Sequence, residues 1–130
     1  MDIFFILGRV IFGGYFIIAG FKHFRHIKMM SAYAASKNVP LPKIAVVLSG
    51  LLILLGGLGI FTGIYVKWSL YLIIFFLLGV TFKMHDYWNI TDPTEQTLQK
   101  INFGKNIALL GACLIMLAIP EPWILAITLF

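Results

Sequence analysis

The chain has few acidic residues and almost no cysteine. It holds five aspartates and glutamates against ten lysines and arginines, and Cys113 is its one cysteine in 130 residues. A single cysteine excludes an internal disulfide and a Cys-x-x-Cys relay, so a thiol-quinone oxidoreductase would need thiols from a partner. Phosphate-loop, zinc-site and nucleophile-elbow motifs are absent too. Any activity must therefore reside in the few polar groups near a membrane.

Hydrophobic residues make up 61% of the chain and charged residues 12%, with a mean hydropathy of +0.98. Asp2 stands where a signal peptide would be basic, so the first apolar run is predicted to be a retained helix. The runs do not alternate as membrane β-strands do. Four apolar runs approach the roughly 20 residues that span a bilayer as a helix. They are residues 3–21, 44–61, 66–84 and 101–119. We therefore predict an all-α, integral membrane four-helix bundle that forms one domain over residues 1–130.

Basic residues lie mainly on one side of the predicted bundle. Residues 22–43 hold five lysines and arginines and residues 83–105 hold three, whereas the connection between the second and third runs has only Lys67. The positive-inside rule therefore predicts that both termini lie outside and that the two basic connections are cytoplasmic. Such a basic rim is expected to contact anionic membrane lipids, and no nucleic-acid partner is expected.

Small residues recur at packing intervals in three of the runs. They predict close contacts between helices, since apolar burial does not drive helices together in lipid. The residues are Gly13 and Gly20 in the first run, Ser49, Gly56 and Gly63 in the second, and Gly104, Ala108 and Ala112 in the fourth.

The connections and the C-terminal end also have readable patterns. Part of residues 22–43 could lie as an interfacial helix. Thr91 or Asp92 could cap a short helix over residues 93–100. The Pro120-Glu121-Pro122 stretch stops the fourth run, which leaves residues 123–130 as a predicted interfacial tail.

Arg9 is a cation inside the first apolar run, and none of the four runs contains an acid that could neutralise it. Gly13, Phe16 and Gly20 share its face of a helix, so the guanidinium is predicted to point along a surface cleared by glycines. Two interpretations are open. Arg9 either snorkels to the outer interface or bonds to backbone carbonyls, or it donates to a ligand carbonyl, a lipid headgroup or a partner's carboxylate.

Other polar residues collect at the opposite end of the predicted bundle, where each could equally be an ordinary interfacial residue. The connection between the third and fourth runs could bring two of the pairs together. His23 and His26 are poorly placed for bis-histidine haem, and no haem, flavin or metal site is predicted. The pairs are Lys22 with His23, His85 with Asp86, and Lys105 with Asn106.

The ordered set of Arg9-x-x-x-Gly13, Gly20-x-Lys22, residues 85–88 and residues 105–111 resembles the DoxX family of small bacterial and archaeal membrane proteins. The resemblance implies a four-helix bundle in the bacterial cytoplasmic (inner) membrane. Some members are subunits of quinone-linked sulfur-oxidising or terminal oxidase systems, and other relatives are assembly factors. Residues 45–50 lack the glutamate that many DoxX-like chains have there, so this chain lacks that partner for Arg9.

Two functions from different classes fit these observations, and the sequence does not decide whether the protein is catalytic. One is a non-enzymatic assembly or scaffold protein that binds lipids, other membrane proteins or further copies of itself. A transporter is disfavoured because no broken-helix pair is evident. The favoured hypothesis is a quinone-linked redox subunit that receives electrons from a membrane or peripheral partner. It would bind the quinone through some of five candidate hydrogen-bond donors. The candidates are Arg9, Lys22, His85, Lys105 and Asn106.

Overall fold

The structure is a computed structural model that describes residues 1–127, and this part of the chain is helical without β-strand. Four of the helices are long and apolar enough to cross a membrane, which confirms the predicted all-α four-helix membrane fold. The elements are α1 (Asp2–Arg25), α2 (Ile27–Ser36), α3 (Pro42–Thr62), α4 (Val66–Met84), a 3₁₀ turn (Tyr87–Asn89) and α5 (Pro93–Leu117). The predicted spans correspond to α1, α3, α4 and α5.

Helix α5 begins well before the fourth apolar run, so the short separate helix predicted over residues 93–100 is wrong. The Asp92 side chain accepts a hydrogen bond from the Glu95 backbone N–H at 2.9 Å and caps the helix, and Pro93 occupies its first turn. No proline or glycine interrupts the chain between Pro93 and Ile101. One continuous helix therefore carries both the polar residues and the apolar span.

Helix α3 is central, packing against α1, α2 and α4, and α4 also packs against α5. The α1–α3 contact is close because both helices present glycines. A Cβ atom placed on Gly13 would lie 2.8 Å from the Gly57 carbonyl oxygen, and one on Gly20 would lie 2.9 Å from the Leu54 Cβ. The close packing predicted for these two helices is confirmed.

The same prediction is wrong for α5. A Cβ atom on Gly104 would meet nothing within 4 Å, and Ala108 is exposed. The buried residues of α5 are instead Gln99, Asn106 and Cys113, spaced seven residues apart. This stripe turns inward because heptad spacing keeps side chains on one helix face, and it leaves the small residues on another face.

The segment after α5, which the sequence predicts to be an interfacial tail, folds back onto the end of the bundle. Trp123 is only 4% exposed and packs edge-to-face on Phe5, with ring centroids 5.0 Å apart. The Ile127 backbone N–H donates to the Thr62 carbonyl at 3.0 Å. Burial of the indole against α1 holds this segment to the bundle, and its position at the membrane interface stays a prediction; residues 128–130 of the predicted tail lie outside the described residues.

Candidate functional site

Arg9 lies at the end of the bundle where α1 starts and the C-terminal segment returns. The residue is 7% exposed, on the same buried face of α1 as Gly13, Phe16 and Gly20, as predicted. Its Nη1 donates to the Ile124 carbonyl at 2.8 Å and its Nη2 to the Leu125 carbonyl at 3.2 Å. Arg9 therefore bonds to backbone carbonyls, one of its two predicted alternatives, and a ligand for it stays a prediction.

Gly63 makes room for this guanidinium. Its φ of 80° is in the left-handed region that favours glycine, and a Cβ atom there would lie 2.9 Å from Nη1 of Arg9. The Arg9 Nε has no hydrogen-bond partner among the described residues. We call this region, formed by Arg9, Gly63 and Trp123–Leu125, the sealed end.

A cavity of about 830 Å³ lies toward the opposite end of the bundle, between α1, α2, α3, α4 and α5. Three of the predicted site residues, His85, Lys105 and Asn106, line it together. Lys22 is exposed and does not line it, and Arg9 lies at the sealed end. Most of its lining is apolar and includes Phe16, Val46, Leu52, Phe76, Leu77 and Leu109. We call this region the cavity end.

His85 is held from one side by a residue that sequence reasoning missed. Its Nδ1 lies 2.6 Å from the Oε1 of Gln99 on α5. Because an amide oxygen only accepts, Nδ1 carries the proton, and in the neutral ring Nε2 is left as an acceptor. The heptad spacing of Gln99, Asn106 and Cys113 could have identified Gln99 as an inward residue, but not its partner.

His23, which the sequence pairs with Lys22 at the end of the first run but which was not among the predicted quinone donors, also lines the cavity. Its Nδ1 donates to the Ala19 carbonyl at 2.8 Å, and its ring packs edge-to-face on Phe76 with centroids 5.9 Å apart. The backbone carbonyl fixes the tautomer in the same way as Gln99 does for His85.

Asn106 is the most deeply buried polar group of the cavity lining, at 6% exposed. Its side-chain amide lines the cavity, so a ligand atom in the cavity can bond to it. The neighbouring Lys105 is exposed and brings an ammonium group to the same lining.

Helix α2 covers part of the cavity end and is fastened to α4. The Tyr33 hydroxyl donates to the Met84 carbonyl at 3.1 Å, and burial raises the pKa of Tyr33, which keeps that hydroxyl protonated. The Lys37 Nζ lies 2.6 Å from the Asp86 Oδ1, and this hydrogen bond raises the pKa of Lys37. Asp86 thus pairs with α2, a contact that the sequence did not indicate.

Comparison with known proteins places this architecture in a family. The family model for DoxX matches residues 4–86. The chain belongs to the DoxX family, as its motifs predicted. This DoxX protein is also 32% identical over 107 residues to "Inner membrane protein YphA" of Escherichia coli (strain K12), an alignment that covers 82% of this chain and 75% of the relative. No solved structure matches it.

The family match ends before α5. In this DoxX protein the matched residues include His23 and His85, whereas Gln99, Lys105 and Asn106 follow the match. The polar groups at the cavity end therefore come from two parts of the chain, one that the family model describes and one that lies beyond its match.

Proposed function

We propose that this DoxX protein is a multi-pass protein of the bacterial inner membrane that binds a quinone at its cavity end, as the quinone-linked subunit of a membrane redox complex. The observation that carries the proposal is the apolar cavity of about 830 Å³ with His85, Lys105 and Asn106 in its lining. The relative's printed name and the four apolar helices support the membrane assignment.

The lining fits the chemistry of a quinone. Ligand pockets of roughly 300–1,000 Å³ are mostly apolar with a few placed polar groups, which suits an aromatic ring with an isoprenoid chain. The Asn106 amide and the Lys105 ammonium donate hydrogen bonds to a carbonyl oxygen, and His85 holds or releases a proton at Nε2. A bound quinone supplies reversible two-electron, two-proton chemistry.

The electron-exchanging partner belongs to the proposal. The proposed orientation has the cavity end in the cytoplasm and both termini outside, and the basic connections at the cavity end support it through the positive-inside rule. The first two turns of α5 are largely exposed and lie next to the 3₁₀ turn at this end. A membrane or peripheral redox protein would dock there, within reach of the cavity.

Mass spectrometry of the organic extract from gently purified protein tests the proposal. We expect stoichiometric quinone with the wild type, loss of it in Asn106→Ala, which removes a donor to the quinone carbonyl, and retention in His26→Ala, whose exposed imidazole does not line the cavity. Loss in Arg9→Ala alone would move the site to the sealed end. Phospholipid only, in every variant, would overturn the quinone proposal.

One observation favours the alternative, a scaffold that binds other membrane proteins or further copies of itself. Gly104, Ala108 and Gly111 on α5 leave a surface of small residues, and Gly104 and Gly111 face open space. Such surfaces let helices from another chain approach closely in lipid. Retained association of the partner with a quinone-free Asn106→Ala protein, and its loss in Gly104→Leu, would favour this function.

A further inference from the structure

We infer that the cavity end is a site for the reduced, hydroxyl-bearing form of the quinone, and that His23 and His85 make it prefer quinol to quinone. This inference rests on the proposed function, because it specifies which redox form that site takes. It is carried by the hydrogen bonds that already occupy one nitrogen of each imidazole.

The two rings share one arrangement although they lie on different elements. His85 Nδ1 is committed to the Gln99 Oε1 at 2.6 Å, and His23 Nδ1 is committed to the Ala19 carbonyl at 2.8 Å. Both partners are acceptors, so each neutral ring carries its proton on Nδ1. Neither Nε2 makes a hydrogen bond with a described residue. The lining therefore contains two acceptors for which the described part of the chain has no donor.

A quinone and its quinol differ at the atoms that meet these acceptors. A quinone oxygen only accepts hydrogen bonds, so beside a neutral imidazole Nε2 it leaves both lone pairs unmatched. A quinol hydroxyl donates to that nitrogen and still accepts from a donor such as the Asn106 amide or the Lys105 ammonium. The donors serve both forms, whereas the histidines serve only the quinol.

Recognition of a hydroxyl by buried polar groups discriminates well against an analogue that lacks it, because the protein's groups are then left unpaired. His85 is half-buried and its partner Gln99 is buried, so water competes less there than at an open surface. We expect the wild type to bind quinol about tenfold more tightly than quinone, the factor given by one such hydrogen bond.

The test measures the dissociation constants of a short-chain benzoquinone and of its benzoquinol, under anaerobic conditions and at mildly alkaline pH, with the protein in phosphatidylcholine nanodiscs. Replacing both acceptors in His23→Phe/His85→Phe should weaken quinol binding about tenfold and leave quinone binding nearly unchanged. Phenylalanine keeps the edge-to-face packing of residue 23 on Phe76. His26→Phe is the matched control and should change neither constant.

A second variant tests the tautomer directly. In Gln99→Glu the carboxylate stabilises the doubly protonated imidazole, which makes Nε2 of His85 a donor and should reverse the preference toward quinone. The Gln99→Glu substitution replaces an amide with a carboxylate of the same shape. The melting temperature alone therefore suffices to check the folding of this variant.

The outcomes separate the inference from the proposed function. If neither redox form binds the wild type, the proposed function fails. If both bind equally, or if the double phenylalanine variant loses the two forms in parallel, the quinone site stands and the preference for quinol is wrong. A tenfold preference that disappears in the double variant and reverses in Gln99→Glu supports the inference.

Discussion

The two ends of this four-helix bundle solve the same problem, polar groups inside an apolar protein, in opposite ways. At the sealed end two nitrogens of the Arg9 guanidinium donate to carbonyls of its own chain, Nε has no partner among the described residues, and Trp123 closes the surface. At the cavity end two imidazole nitrogens have no such partners among the described residues, and about 830 Å³ of space adjoins them and the Asn106 amide.

This difference shows that a buried charge is a weaker indication of a ligand than a polar group that lines a cavity. Arg9 is the most conspicuous residue of the sequence, yet the chain supplies carbonyl acceptors for it. Asn106, also a candidate donor in the sequence, lines a cavity of about 830 Å³. The argument for a ligand is therefore stronger at the cavity end, because only there does the protein leave space beside its polar groups.

The largest effect is expected from Arg9→Ala. It leaves the Ile124 and Leu125 carbonyls without their donor and opens a void beside Gly63, at a cost of about 3 kcal/mol of unfolding free energy. Denaturant titration in mild detergent measures it. Arg25→Ala, at an exposed position, is the control. Equal stability of the two variants would show that the sealed end is not held by Arg9.

A smaller loss of stability is expected from Gly13→Ala, which tests the tight α1–α3 contact. The added Cβ would lie 2.8 Å from both the Gly57 carbonyl oxygen and the Phe61 backbone nitrogen, so the helices must separate at a cost of about 2 kcal/mol. Gly14→Ala, whose Cβ would meet nothing within 4 Å, should instead gain up to about 1 kcal/mol from helix propensity. The same sign in both variants would contradict this contact.

Filling the cavity end should change binding more than folding. Gly79 lines the cavity and a Cβ there meets nothing within 4 Å, so Gly79→Leu should weaken quinol binding about tenfold, or about 1.4 kcal/mol, with the melting temperature nearly unchanged. Isothermal titration in nanodiscs reports the affinity. Gly111→Leu adds the same side chain outside the cavity lining, and a parallel loss there would contradict a specific site.

The smallest effect is expected from Asp86→Asn, which removes the ion pair between Lys37, just after α2, and Asp86, just after α4. The side chains are 15% and 17% exposed, and the expected loss is below about 1 kcal/mol. Because this pair raises the folded-state pKa of Lys37, its contribution is complete below the ordinary lysine pKa and is lost as pH rises through the raised value.

Melting curves of wild type and Asp86→Asn across the lysine titration range measure that contribution. Their difference should be constant at neutral pH and vanish at strongly alkaline pH. A difference that grows with pH would mean that the pair does not stabilise the folded protein.

The sequence predicted features that depend on local spacing. The 3.6-residue period of a helix put Arg9, Gly13, Phe16 and Gly20 on one buried face, and Asp92 before a proline indicated a helix cap. The prediction of the buried face of α5 was wrong because two patterns occur on that helix. Its small residues have the spacing of a helix-packing motif, but the Gln99, Asn106 and Cys113 stripe faces the interior. A small-residue pattern alone does not say which face meets the bundle.

By itself, the sequence determined that this protein is an all-helical membrane bundle of the DoxX family with its polar residues near the ends of the helices, because hydropathy and helical period act over neighbouring residues. Only the tertiary structure decided which of those residues have partners. The two hydrogen bonds of the Arg9 guanidinium join residues that are separated by 115 and by 116 positions in the sequence. The His85–Gln99 pair depends on how α4 packs against α5. Such pairings depend on how the helices pack in three dimensions. The spacing of residues along the sequence does not give the distances between residues on different helices.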